Sequence, residues 1–98
     1  MKAIKELQKE AHETAKEKGF HENWNFGTAI ALIHSEATEA LEAYRNGRPN
    51  SYVAEELADI VIRTMDLAHY LNIDLSKEII MKMKINKQRP HKHGGKEF

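Results

Sequence analysis

The sequence predicts an all-α fold, a four-helix bundle-like domain. Three observations carry that expectation. Apolar residues recur at helical spacing in four successive segments. Those segments are separated by strong punctuation at Gly19, at Asn46-Gly47-Arg48-Pro49-Asn50 and before Asp74. No internal repeat or low-complexity stretch interrupts them.

The first helix is expected from about Lys2 to Lys18, with Ile4, Leu7, Ala11 and Ala15 on one stripe and Gly19 as its stop. A connecting loop, His21 to Phe26, is rich in aromatic and polar residues. The second helix is expected from about Gly27 to Arg45. One stripe reads Ala29, Leu32, Glu36, Glu39, Ala43, and its neighbour reads Ile30, Ile33, Ala37, Ala40, Leu41, Tyr44. The third spans about Ser51 to Leu71, with Val53, Leu57, Ile60, Val61, Thr64, Leu67, Ala68 and Leu71 as its core face and Glu56, Asp59 and Arg63 along its flank. The fourth begins at Asp74, an expected N-cap, and ends before Pro90. Its stripe starts apolar at Leu75 and Ile79 and continues as Lys82, Asn86 and Arg89. Residues 90–98 read as a flexible basic tail.

At 98 residues the chain is one domain, 1–98. A chain this short buries only about 60–65% of its unfolded surface, so self-association, as a dimer or tetramer, is expected. The absence of cysteine excludes disulfides and thiolate metal sites. No apolar run approaches the roughly 18 residues of a membrane span, and the N-terminus lacks a signal-peptide core. A cytoplasmic protein with no membrane partner is the expectation. Lys plus Arg equal Asp plus Glu, at 15 each. The balance hides an asymmetry: Lys82 to Phe98 holds six Lys or Arg and one acid, Glu97. Acidic helices with a basic end suit a metal-bound polyanion better than duplex nucleic acid, which would favour a broad basic surface.

Four carboxylates carry the functional reading. Glu36 and Glu39 form Glu-x-x-Glu, and Glu56 and Asp59 form Glu-x-x-Asp. Residues three apart are neighbours on a helix. The pairs are placed symmetrically about the Asn46–Asn50 turn, so a helical hairpin brings Glu36 level with Asp59 and Glu39 level with Glu56. Four carboxylates at one level repel unless a cation joins them. Oxygen-only ligands suit a hard divalent ion, Mg2+ or Mn2+. The competing explanation is a solvated acidic face, which the position of both pairs on or beside apolar stripes disfavours. A di-iron site would require Glu-x-x-His motifs. Neither pair ends in His, and Asp66 and His69 stand about two turns further on.

Lys82, Asn86 and Arg89 share one helix face and read either as a solvated stripe or as anchors for phosphate oxygens that a metal leaves uncovered. Trp24 and Phe26 read either as a core plug or as a surface on which a nucleobase stacks. The six His form no ligand cluster by spacing.

With these residues in view, the chain resembles the MazG-like all-α nucleotide pyrophosphohydrolases. The matching segments are Leu32 to Ala43, Glu55 to Val61, and Lys82 to Arg89, within a likeness covering roughly residues 20 to 93. Ser35 stands where that family often has a further Glu. The resemblance implies a compact, single-domain enzyme, a dimer or dimer of dimers with sites built across chains. It implies Mg2+-dependent conversion of a nucleoside triphosphate to its monophosphate and pyrophosphate, in removal of surplus or damaged nucleotides. Glu36, Glu39, Glu56 and Asp59 would be the metal and catalytic residues, with Lys82, Asn86 and Arg89 on the phosphates. The base would sit by the first helix and the Trp24–Phe26 loop. The rival expectation is a non-catalytic helical metal-binding regulatory or interaction module.

Overall fold

A computed structural model describes residues 3–90. It contains four helices in chain order, α1 (Ile4–Glu17), α2 (Phe26–Arg45), α3 (Asn50–Tyr70) and α4 (Leu75–Gln88), with no strand among the described residues. The tail from His91 onward, read above as flexible, lies outside the described residues.

Each of the first three helices ends in the same way. A left-handed residue follows the last turn: Gly19 at φ +81°, Gly47 at φ +69° and Asn72 at φ +58°. The next amide then reaches back to the carbonyl five residues earlier. Phe20 bonds Ala15 at 2.9 Å, Arg48 bonds Ala43 at 3.0 Å and Ile73 bonds Ala68 at 2.9 Å. This satisfies carbonyls that a helix end leaves orphaned. A side chain at Gly47 would meet nothing within 4 Å. The left-handed backbone alone, worth roughly 1–2 kcal/mol, therefore selects glycine there. At the N-termini, Asn25 Oδ1 accepts from the Thr28 amide at 2.8 Å and Asp74 Oδ1 from the Lys77 amide at 3.1 Å. The expected cap at Asp74 is present.

Helix α3 is the axis of the molecule. The short turn after Gly47 folds α2 back along it, and α1 lies antiparallel on another side, with α4 against α1 and the end of α3. Helices α1 and α2 both pack on α3 but do not approach each other. Gln8 is buried on α1, donates to the Ile73 carbonyl at 2.8 Å and accepts from the Leu75 amide at 3.4 Å. It ties α1 to the bend between α3 and α4.

The core is small and is centred on the second half of α3, with Ala15 from α1 and Ala29 from α2 completing it. Its buried apolar residues are Ala15, Ala29, Met65, Leu67 and Ala68. Met65 was not among the residues expected to be buried. Conversely, Leu57 and Val61, expected in the core face of α3, are each 54% exposed. Leu41 and Tyr44 on α2 are exposed as well. The reason is geometric. Helix α3 carries more apolar circumference than two neighbours can cover, so one side of the α2–α3 hairpin stays open in a single chain. No helix among the described residues is long and apolar enough to cross a membrane.

Candidate active site

The hairpin brings the four acids together. Carboxylate oxygens of Glu36, Glu56 and Asp59 all lie within 4.8 Å of one another. Glu39 joins the group through Glu56, its level partner across the hairpin. Glu36 is buried, and the Arg63 Nε donates to its Oε1 at 3.0 Å. Arg63 thus answers one negative charge of four.

The remaining charge shows at Glu56. Desolvation, then the adjacent Glu39, then Glu36, push its carboxyl up to about 7. Its Oε2 is shut off from solvent and faces no donor. Glu39 and Glu36 are acceptors when ionised, so a bond between them and Glu56 forms only when one carboxyl holds a proton. Proton or cation is therefore the choice this site presents. The donor set is all oxygen, the spacing is close, and one shielded oxygen lacks a partner. These residues fit a hard divalent cation such as Mg2+ or Mn2+.

Beside the acids lies a cavity of about 540 Å³, within the size range of small-molecule sites. It exists because α1 and α2 stay apart above α3. Phe20, Trp24, Leu32, Asp59, Arg63 and Asp66 are among its walls. Asp59 belongs to both the acid cluster and the cavity, so the two adjoin. Trp24 also packs on Tyr70, with ring centroids 4.0 Å apart, and stacks with His21 at 5.3 Å. Both readings of Trp24 thus have a structural counterpart: it is packed on one side and lines the cavity on the other. Phe26 opens α2, is exposed and does not line the cavity, whereas Phe20 does.

A second cluster was not legible from spacing. His12 Nδ1 and His21 Nε2 both approach Asp66 Oδ1, at 2.9 and 2.8 Å. His69 packs beside His12, with ring centroids 4.8 Å apart. Although the six His form no ligand cluster by spacing, His12, His21 and His69 therefore converge in space. They come from α1, the loop after it and α3, and only the pairing of α1 with α3 unites them.

Lys82, Asn86 and Arg89 are exposed on and just beyond α4. Helix α4 packs against α1 and the end of α3 and makes no approach to α2. The basic stripe and the acid cluster are therefore not joined through α2 within one chain. No protein-family model matches the chain, and neither a curated protein nor a solved structure is significantly similar to it.

Proposed function

We propose that the chain is a Mg2+-dependent nucleoside triphosphate pyrophosphohydrolase of the MazG-like kind, acting on a (d)NTP to clear or adjust the nucleotide pool. The observation that carries this reading is the acid cluster of Glu36, Glu39, Glu56 and Asp59 adjoining, at Asp59, an aromatic-walled cavity of about 540 Å³. Glu36, Glu39, Glu56 and Asp59 would hold the cation, which when bound neutralises phosphate oxygens and lowers the pKa of a water.

The other roles fall to the chain's own residues. A carboxylate of the cluster not engaged with Arg63 orients the attacking water and takes its proton. The water oxygen bonds to phosphorus, and the bridging bond between the α- and β-phosphates breaks. The products are the monophosphate and pyrophosphate. Arg63 holds the buried Glu36 carboxylate in position through its Nε hydrogen bond. Trp24 and Phe20 on the cavity wall supply the apolar surface for the base; Phe26, exposed at the start of α2, is not part of that surface. Lys82, Asn86 and Arg89 grip phosphates from a second copy of the chain, since α4 does not approach α2 in its own. The uncovered apolar residues of the α2–α3 hairpin favour such an assembly, a dimer or dimer of dimers.

The test is a panel of common and modified nucleotides with Mg2+, read for pyrophosphate and monophosphate together. At least one should yield both. Inactivity across the panel, or release of single phosphates, would overturn the reading.

A further inference from the structure

We propose that His12, His21 and Asp66 form a second metal site, for a borderline transition-metal dication of the Zn2+ class, separate from the acid cluster. It does not depend on the hydrolase reading. Three potential ligand atoms, one from each residue, lie within 4.8 Å of one another. The nitrogen-to-oxygen separations are 2.8 and 2.9 Å. Two ligands bound at about 2.0–2.1 Å to one ion stand roughly 2.9–3.4 Å apart, so both nitrogen-to-oxygen separations are already close to the spacing an ion requires. Two imidazoles and one carboxylate suit Zn2+, Fe2+ or Ni2+, and the oxygen-only cluster of Glu36, Glu39, Glu56 and Asp59 suits Mg2+ or Mn2+.

The rings are held in place before any ion arrives. His21 stacks on Tyr70 at 5.5 Å and on Trp24 at 5.3 Å, with interplanar angles of 16° and 24°. His12 packs against His21 and His69, both at 4.8 Å between centroids. The three side chains are only 12–16% exposed. Such preorganisation lowers the ordering cost that a flexible surface His would carry. Asp66 also walls the cavity, which places the ion at the edge of that cavity. Bound there, the metal fastens α1 and the loop after it to α3.

The experiment uses chelator-stripped full chain, with Mg2+ present in excess to occupy the acid cluster. One equivalent of ZnCl2 is added, and the imidazole nitrogens are followed by NMR. The expected result is a large shift of His12 Nδ1 and His21 Nε2. Calorimetry with ZnCl2 should then show His12→Gln and His21→Gln weakening binding by at least roughly a hundredfold, the upper end of what losing a mere orienting partner costs. Asp59→Asn should leave zinc affinity unchanged. Unmoved His12 and His21 rings in the wild-type protein overturn the proposal even if a variant fails to fold. Zinc binding that survives in the His12→Gln/His21→Gln double variant, or that disappears in Asp59→Asn, overturns it as well.

Discussion

Glu39 and Asp59 separate chemistry from architecture more sharply than any other residues here. Each contributes negative charge to a crowded cluster and neither is buried. Glu39→Gln or Asp59→Asn should abolish pyrophosphate release while the far-ultraviolet dichroism stays that of the wild type. Without metal, both variants should melt at the same or a higher temperature, because one repelling charge is gone. A clear drop in melting temperature would make them structural. Glu56 gives a pH signature. Its carboxyl rises from 4.5 to about 7, so the folded chain holds a proton that the unfolded chain releases. Stability from that proton is complete below about 4.5 and is lost as pH climbs through about 7. The metal-free melting temperature should fall between about pH 5 and about pH 8, and Glu56→Gln should flatten the fall. An equal slope in both proteins would remove Glu56 from the cause. The pairing of these acids was legible in the sequence because an i,i+3 spacing on each arm of a symmetric hairpin leaves little freedom. The role of Arg63 as partner to Glu36 was not, since it depends on how far α2 and α3 are rotated about their own axes.

At the level of elements, all four helices follow from apolar period and end signals, and their bounds fall within about two residues of expectation. The faces were harder to read. Leu57 and Val61 match the periodicity of a core stripe but look outward, whereas Met65 is buried, because periodicity marks apolar sides without saying which neighbour covers them. Helix α4 shows the same limit, with its apolar Ile80, Met81, Met83 and Ile85 all exposed. Its basic stripe has a separable test. Lys82→Ala and Arg89→Ala should weaken nucleotide binding or turnover about ten- to a hundredfold, the loss of a charge-assisted bond to phosphate. Mg2+ affinity without nucleotide should not change. Wild-type turnover in both variants would reduce α4 to scaffold.

The whole molecule is underfilled as a lone chain. Among the described residues its buried apolar set is three alanines, one leucine and one methionine, and no large side chain is fully enclosed. Light scattering at micromolar concentration should therefore report at least a dimer. A monodisperse monomer would contradict the assembly and with it the delivery of Lys82, Asn86 and Arg89 from a second copy.

Because α1 and α2 meet α3 but not each other, the fold has a seam along which it can part. Helix α1 can swing away without breaking any contact within the α2–α3 hairpin. Among its ties are the Gln8 amide at one end and the His12 imidazole on Asp66 further along. Amide hydrogen exchange should accordingly divide the chain into two cooperative units, with α1 opening at lower free energy than the hairpin. A molecule lodged between α1 and α2 would act as the missing layer of the core. It should slow exchange in α1 far more than in the hairpin, so that occupancy of the cavity reads out as protection of a helix that contributes none of the four acids.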